Sequence, residues 1–316
     1  MTDAHADSAD SAESAESAES ADSAPLPPAS LAVIGGSGLY RLFDPATSTS
    51  ARVATPYGPA DVTVGTLAGR SVAFLTRHGV DHSVAPHSIN YRANIWALAR
   101  LGVRIILSSS AVGGVSPDYP PGTLVLTDQF IDRTHGRPDT FYDRGSVQHL
   151  AAADPFSPQL HTIARRALDE AGEQFAPSGT VVVIQGPRFS TRAESLWFRA
   201  AGAHTINMTM YPEVALAAEL NIESINLSFV TDSDAGLAPL AGEVDPDAAD
   251  HHRIIARLMA AQPRIVQALE TIIRAIPQNF EGRELISADE VAAVLDRAPT
   301  GPTASTGSIS PTGPTA

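Results

Sequence analysis

The sequence contains no cysteine and no lysine, and these two absences exclude several kinds of chemistry. A chain without cysteine has no disulfides, no thiolate metal sites and no cysteine nucleophiles. All 21 of its basic residues are arginine, so it also lacks the lysine of a P-loop, of a Schiff base and of pyridoxal enzymes. Any active site in this chain therefore uses other residue types.

Basic charge and long hydrophobic runs are scarce as well. The 316 residues have a net charge of −14, and residues 1–24, with seven acids and no arginine, account for half of it. An acidic chain without a basic stripe argues against a nucleic-acid partner. No apolar run approaches the roughly 18 residues of a membrane-spanning helix, and the acidic N-terminus is unlike a signal peptide. We therefore expect a soluble, cytoplasmic protein that binds neither nucleic acid nor membranes.

Low-complexity sequence marks both ends of the chain. Residues 1–30 are an acidic Ala/Ser/Glu/Asp repeat followed by prolines, and residues 298–316 are mainly Thr, Gly, Pro and Ser. Neither stretch can form a core, so both tails are predicted to be disordered. In residues 31–297, predicted strands alternate with predicted helices. This alternation indicates an α/β fold, a single domain with a central, largely parallel mixed sheet flanked by helices.

Hydrophobic runs and capping residues indicate the elements of this domain. Strands are predicted at 31–34, 72–76, 105–107, 124–132, 180–184, 205–209 and 225–230. Helices are predicted at 90–101, from 157 to before 172, after 191, at 212–220, near 247–276 with a break at Pro263, and after 287. The helices after 191 and 287 each have the spacing of a capping box, Thr191 with Glu194 and Ser287 with Glu290. Glu213 is expected to offset the dipole of the helix that it begins.

Polar side chains follow the predicted strands at the points where they end. Ser37, Ser110 and Thr209 supply hydroxyls, and Arg77, next to His78, is the expected main fixed positive charge. Arginine, hydroxyls and backbone donors suit a phosphate, because the guanidinium fork matches two phosphate oxygens. The glycine turn at 35–38 lacks the third glycine of a dinucleotide-binding turn, so it is expected to hold a small anion instead.

A fifth strand end has two aspartates, Asp232 and Asp234. They are two residues apart, and in extended backbone they would point to the same side. Two close carboxylates in a partly dry cleft raise the pKa of one of them, which could then protonate a leaving group near pH 7. Asp, Ser and Gly after a strand are also ordinary turn residues. From these residues alone, a proton-donating pair and a simple β-turn are both open.

Three histidines, at positions 78, 82 and 87, are close enough in sequence to raise the question of a metal site. Gly79 and Pro86 interrupt this stretch and prevent a shared helical face. The stretch also lacks the HExxH spacing of a zinc-binding helix. We therefore expect no metal.

Eight short motifs occur in a fixed order over residues 31–236: IGGSGLY, TPYGPAD, RHG, NYRANIWAL, DQFIDRT, GPRFSTRAES, NMTMYPEVALA and VTDSDAG. Together they resemble the 5′-methylthioadenosine phosphorylase branch of the trimeric purine nucleoside phosphorylase family. The resemblance implies phosphate-dependent cleavage of the N-glycosidic bond of 5′-methylthioadenosine to adenine and 5-methylthioribose 1-phosphate. Phosphate would be a co-substrate, with no cofactor and no metal.

The resemblance also implies a role for each site residue. Met208 would contact the ribose, and His149 resembles a histidine that reaches into a neighbouring subunit's site, which implies a homotrimer. Asp232 would lie at N7 of the purine and Asp234 near its 6-amino group. Residues 237–252 do not align with the family, so the preference for a 5′-group is open. The phosphate ligands would be Ser37, Arg77, His78, Ser110, Ala111 through its amide, and Thr209, and the purine would be surrounded by Phe189, Ser190 and the two aspartates.

Three other functions are weighed against this one. A 6-oxopurine nucleoside phosphorylase, acting on inosine or guanosine, would be expected to have an amide at one of the two aspartate positions. An NAD-dependent dehydrogenase would need the third glycine that the turn at 35–38 lacks. A non-catalytic protein would bind adenine nucleosides without phosphate-dependent turnover.

Overall fold

The computed structural model describes residues 25–235 and 249–299. The predicted tails lie outside these ranges except for residues 25–30 and 298–299. The sequence assigns residues 25–30 to the N-terminal tail, but Ala29 is buried, and its N–H donates to the Leu101 carbonyl at 3.3 Å. The packed part of the chain therefore begins a few residues before the predicted boundary.

The described residues form strands and α-helices in alternation, as predicted. The strands are Leu31–Gly35 (β1), Thr49–Thr55 (β2), Gly58–Leu67 (β3), Arg70–Thr76 (β4), Ile105–Gly114 (β5), Leu124–Thr127 (β6), Gln129–Arg133 (β7), Phe175–Ala176 (β8), Thr180–Ile184 (β9), Thr205–Asn207 (β10) and Glu223–Asp232 (β11). The helices are Tyr91–Arg100 (α1), Pro158–Glu170 (α2), Arg192–Ala200 (α3), Met210–Glu219 (α4), His251–Ala275 (α5) and Ala288–Leu295 (α6).

All the strands belong to one mixed sheet, in which six of the ten strand pairings in the described part of the chain are parallel. Strand β1 lies between β4 and β5, and β5 also pairs in parallel with β11. The carboxyl ends of these four strands therefore meet at one edge of the sheet, where α/β proteins bind their ligands. The mixed, largely parallel sheet of the prediction is confirmed.

Helices pack on both faces of this sheet, because neighbouring residues of a strand point to opposite sides. Ala32 and Ile34 of β1 belong to a buried cluster with α1. Leu31 and Val33 of the same strand belong to a second cluster, with α2 and α5. No helix within the described ranges is long and apolar enough to cross a membrane.

Several details differ from the predicted elements, among them β8, which was not predicted, and β5, which runs to Gly114 rather than ending at 107. The hairpin of β2 and β3 was not predicted, and the strand predicted at 124–132 is two strands, β6 and β7. Helix α5 continues through Pro263 where a break was expected. The capping box of Thr191 and Glu194 forms, whereas the Ser287 side chain makes no capping hydrogen bond to α6.

Candidate active site

A cavity of about 380 Å³ opens at the carboxyl ends of β1, β4, β5 and β11. Of the twelve site residues that the sequence predicts, two, Ser190 and His149, do not line it in this chain. The other ten do: Ser37, Arg77, His78, Ser110, Ala111, Phe189, Met208, Thr209, Asp232 and Asp234. The structure thus brings together residues that are up to 197 positions apart in the sequence.

The glycine turn after β1 packs directly against the arginine that follows β4. A Cβ atom at Gly36 would lie 2.7 Å from the Ser109 carbonyl oxygen and 3.1 Å from Nη1 of Arg77. Only glycine allows this approach, which brings Ser37 to the cavity beside the guanidinium. The turn that is predicted to bind an anion therefore lies at the cavity, although its role in anion binding stays a prediction.

The positive charge of Arg77 is neutralised by a buried carboxylate. Arg77 donates from Nε to Oε2 of Glu213 at 2.6 Å and from Nη2 to Oε1 at 2.8 Å. Arg77 is 3% exposed and Glu213 is 4% exposed. Glu213 was predicted only to offset the dipole of α4, whereas its main contact is with Arg77. The positive charge of Arg77 is therefore paired rather than isolated.

The pairing also determines which donors Arg77 can offer to a ligand. A guanidinium has five N–H groups. Two donate to Glu213, and one on Nη1 donates to the Ser109 carbonyl at 3.2 Å. One N–H on Nη1 and one on Nη2 remain, which form the end of the guanidinium fork. A phosphate could receive both.

The hydroxyl groups of Ser110 and Thr209, which are predicted to bind phosphate, are each held by a buried asparagine. Asn226 of β11 donates from Nδ2 to Oγ of Ser110 at 3.1 Å, which leaves the Ser110 hydroxyl proton available to a ligand. Oδ1 of Asn207 accepts from the Thr209 N–H at 2.6 Å and lies 3.3 Å from the Thr209 hydroxyl oxygen. Both hydroxyls are therefore fixed at the cavity wall by asparagines that were not among the predicted site residues.

His78 is a neutral ring in this structure. Its Nδ1 lies 2.9 Å from the Val84 carbonyl oxygen and must donate, since a carbonyl only accepts. Nε2 of the neutral ring then carries no proton, so it can contact a ligand only as an acceptor, for example from a phosphate O–H. Burial, with smaller contributions from Arg77 and His82, lowers the pKa of His78 to about 4. The His82 ring, whose centroid is 4.7 Å away, also lines the cavity.

The two aspartates meet through a bulge and a turn rather than through simple strand alternation. The pairing of β11 with β5 shifts between Val230 and Asp232, so the strand gains one residue and is re-aimed there. Asp234 has a positive φ of 44°, and its N–H donates to Oδ1 of Asp232 at 3.0 Å. The extended-backbone argument is therefore wrong for Asp234. A turn and a carboxylate pair lining the cavity occur together.

Space for the pair comes from Gly113 of β5, where a Cβ atom would lie 3.0 Å from Oδ1 of Asp232 and 3.2 Å from Cβ of Asp234. Burial raises the pKa of Asp232, although hydrogen bonds from Thr231 and the Asp234 N–H and the charge of Arg257 oppose the rise. Burial first, and then the charge of Asp232, raises the pKa of Asp234 to about 6. Burial is therefore the larger cause of the rise at Asp234, and repulsion by the Asp232 charge is the smaller one.

Comparison with known proteins agrees with this geometry. Residues 30–276 match the family model described as "Phosphorylase superfamily". The chain belongs to the phosphorylase superfamily. It is 44% identical over 265 residues to a purine nucleoside phosphorylase of Streptomyces coelicolor, and this alignment covers 80% of this chain and 91% of that one. It is 50% identical over 209 residues to an S-methyl-5′-thioadenosine phosphorylase of Mycolicibacterium smegmatis, covering 66% and 78%.

Solved structures of the superfamily share the fold. A methylthioadenosine phosphorylase from Schistosoma mansoni in complex with adenine superposes with a TM-score of 0.73 at 29% identity, covering 84% of this chain and 97% of that one. The family match over residues 30–276 extends through β11, so it includes the strand ends that line the cavity. The family predicted from the motifs is confirmed.

The aspartate pair of this phosphorylase is held from one side by helix α3. Ser195 donates its hydroxyl to Oδ2 of Asp234. The capping box of Thr191 and Glu194 fixes the first turn of α3, so Ser195, one turn after Thr191, faces the pair. The sequence predicts this capping box but not the role of Ser195, because Ser195 and Asp234 are 39 positions apart.

Other predicted residues lie beside the cavity or away from it. Phe189 is 42% exposed and lines it, while the neighbouring Ser190 is buried and its Oγ has no hydrogen-bond partner within the described chain. His149 is exposed and outside the cavity of its own subunit. Ile254 and Ile255 of α5 line the cavity without having been predicted. Among the described residues, no group of three or more acidic or histidine side chains could hold a metal.

Proposed function

We propose that this phosphorylase cleaves 5′-methylthioadenosine with inorganic phosphate, giving adenine and 5-methylthioribose 1-phosphate. The observation that supports it most is that one cavity contains both the end of the Arg77 fork and the Asp232–Asp234 pair. The first suits an anion, and the second can supply a proton to a departing base. Both are needed for phosphorolysis and neither is explained by binding alone.

The reaction follows from these two parts. The bond from ribose C1′ to purine N9 breaks, and a bond from C1′ to a phosphate oxygen forms. The ribose passes through an oxocarbenium-like state, so a phosphate held by Arg77, His78 and the hydroxyls of Ser37, Ser110 and Thr209 stabilises the developing positive charge. The Ala111 amide completes this set, and Met208 contacts the ribose. The electrons of the broken bond go to the purine, which is protonated at N7.

The proton comes from the aspartate pair. In this proposal Asp232 lies at N7 and Asp234 accepts from the 6-amino group, while Phe189, which lines the cavity, bounds the base. Because the two carboxylates interact, the proton belongs to the pair rather than to one of them. Proton donation of this kind contributes roughly 10²–10⁴-fold to a rate. No cofactor other than the co-substrate phosphate, and no metal, has a part in the scheme.

The base and the 5′-group are supported by different observations. Two carboxylates, rather than a carboxylate and an amide, suit a 6-amino purine. A 6-oxopurine phosphorylase is the second candidate, since the Streptomyces coelicolor relative is named a purine nucleoside phosphorylase. Ile254 and Ile255 give the cavity an apolar wall, which suits a 5′-methylthio group better than a 5′-hydroxyl.

The test is the release of adenine from 5′-methylthioadenosine with and without phosphate, with adenosine and inosine assayed beside it. We expect release that requires phosphate and the order methylthioadenosine, adenosine, inosine. Inosine cleaved as fast as methylthioadenosine would contradict the assignment of the base. Binding without turnover would reduce the protein to a nucleoside-binding protein.

We also propose that the enzyme is a cytoplasmic homotrimer in which His149 completes a neighbouring subunit's site. Its exposed position in the isolated chain supports this, because the ring is available to a partner. Light scattering should give a trimer, and His149→Ala should weaken nucleoside binding without changing assembly. A monomer with full activity would contradict both statements.

A further inference from the structure

Ser195 is a buried polar residue whose hydroxyl contacts the aspartate pair. It is 0% exposed, and its Oγ contacts two acceptors, Oδ2 of Asp234 and the Thr191 carbonyl oxygen at 3.2 Å. A hydroxyl has one proton, so it can donate to only one of them at a time. The choice depends on whether Asp234 is ionised.

The two arrangements follow from donor and acceptor rules. When Asp234 is ionised, its carboxylate only accepts, and the Ser195 hydroxyl donates to it. When Asp234 is protonated, it can donate to Ser195, whose own proton then turns to the Thr191 carbonyl. Ser195 thus has a partner in both states, but its hydrogen bond is stronger when Asp234 is charged.

The charged groups around Asp234 oppose its ionisation more than they support it. Asp232 on β11 and Glu194 on α3 both disfavour a second negative charge. Glu194 is itself paired with Arg188 at 2.7 Å. Arg257 of α5 donates to the Thr231 carbonyl at 2.6 Å, and its charge favours ionised Asp232. On strand β5, the uncharged Gly113 lies against the pair. Ser195 is therefore the side-chain donor in the described chain that favours Asp234 as an anion.

We propose that Ser195 is a positioning residue that keeps the Asp234 carboxylate an acceptor and thereby sets the preference for a 6-amino over a 6-oxo purine. The inference rests on the proposed function, because it assumes that Asp234 faces position 6 of the base. An ionised Asp234 accepts from a 6-amino group and repels a 6-oxo oxygen. A protonated Asp234 loses that acceptor and can donate to a 6-oxo oxygen instead.

The sign of the pH dependence follows. The pKa of Asp234 is raised to about 6 even with the Ser195 hydrogen bond, which lowers it. The preference for a 6-amino base should therefore be present above about pH 6 and decline as the pH falls through that value. Without the Ser195 hydroxyl the pKa of Asp234 rises further, so the decline should begin at a higher pH.

The experiment measures the ratio of kcat/KM for methylthioadenosine to that for inosine, from pH 5 to pH 8.5, in the full-length protein and its variants. Ser195→Ala should move the midpoint of this ratio upward by about one pH unit, as expected for the loss of a hydrogen bond to a charged group. At pH 7 the ionised fraction of Asp234 should then fall from about 0.9 to about 0.5, so the ratio should fall at least about twofold. Ser195→Cys, which keeps a weak donor, should give a smaller shift in the same direction and serves if the alanine variant does not fold.

Ser157→Ala is the matched control, because it also removes a buried serine hydroxyl at a helix, the N-cap of α2, but one without contact to the aspartates. Its ratio should follow that of the wild type at every pH. An unmoved midpoint in both Ser195 variants, in an otherwise active enzyme, would overturn the role of Ser195 alone. A wild-type protein that releases no adenine would overturn the proposed function itself.

Discussion

The phosphate side and the base side of the cavity are both built on a pair of buried charges, but of opposite kinds. Arg77 and Glu213 have opposite charges, while Asp232 and Asp234 have like charges, and all four are 5% exposed or less. In the first pair, each charge is satisfied by the opposite charge of its partner. The second pair cannot be fully ionised without cost, so it titrates.

The difference separates two tasks within one cavity. On the phosphate side, recognition depends on the direction of N–H and O–H groups, because Glu213 cancels the charge of Arg77. On the base side, recognition depends on which carboxyl holds a proton. We therefore expect changes on the phosphate side to alter stability and phosphate binding, and changes on the base side to alter pH dependence and base preference.

The largest effect is expected from removing one partner of the opposite-charge pair. Glu213→Ala leaves a buried arginine unpaired, and such a loss typically costs about 3–5 kcal/mol in the free energy of unfolding. Urea denaturation would measure it. Arg166→Ala is the matched control, because it breaks an ion pair with Glu170 whose side chains are 80% and 64% exposed, and it should change stability by less than about 1 kcal/mol.

Arg77 offers a sharper version of the same test. Arg77→Ala should raise the KM for phosphate far more than the KM for nucleoside. The double variant Arg77→Met/Glu213→Leu should recover much of the lost stability, since a buried pair can be replaced by apolar residues, but not phosphate binding. A change confined to the KM for nucleoside would show that Arg77 does not belong to the phosphate site.

A smaller effect, of opposite sign, is expected on the base side. The pKa of Asp234 rises from an ordinary 3.8 to about 6, so the folded protein holds this proton more tightly than the unfolded chain. The resulting stabilisation is present below about pH 4 and is lost as the pH rises to about 6. Asp234→Asn avoids that loss and should be more stable than the wild type at pH 7 by about 3 kcal/mol.

Denaturation of both proteins from pH 4 to pH 7 tests this directly. The difference in unfolding free energy should shrink to less than about 1 kcal/mol at pH 4, where Asp234 is protonated in the folded protein and close to half protonated in the unfolded chain. A difference that is constant over this range would contradict the raised pKa. The same variant should shift the base preference toward 6-oxopurines.

The smallest effect is expected at the capping box that positions Ser195. Thr191→Ala removes the N-cap of α3 and should cost about 1 kcal/mol in the free energy of unfolding. It should also shift the pH midpoint of base preference in the same direction as Ser195→Ala, but by less, because the Ser195 hydroxyl is still present. A shift as large as that of Ser195→Ala would mean that helix position, rather than the hydroxyl, controls Asp234.

The sequence predicts the fold wherever a strand is a continuous apolar run. Strands β1 and β9 are of this kind and appear close to their predicted bounds, whereas β5 continues past its apolar run at 105–107 to Gly114. The β2–β3 hairpin was missed because neither strand has a continuous apolar run: β2 alternates exposed and part-buried residues, and in β3 the buried Ala60, Val62 and Val64 are separated by more exposed residues. Helix α5 was divided at Pro263 because the rule for proline inside a helix is overridden there by tertiary packing.

The sequence also predicts ten of the residues that line the cavity, since residues at the ends of parallel strands meet at one edge of the sheet. It does not predict what these residues contact. Glu213 pairs with a residue 136 positions away, and Ser195 with one 39 positions away. From the sequence, Glu213 is already explained by the helix dipole of α4, and Ser195 by its place in the capped helix α3. Only the tertiary structure shows that Glu213 also pairs with Arg77 and that Ser195 also contacts Asp234.

The most direct test of the two-sided cavity is a crystal structure with phosphate and adenine bound together. The phosphate should accept from the remaining N–H groups of Nη1 and Nη2 of Arg77, without displacing Glu213. The adenine should face the aspartate pair, with its 6-amino group within hydrogen-bond distance of Asp234. A phosphate bound away from Arg77, or an adenine whose 6-amino group points away from both carboxylates, would contradict the account.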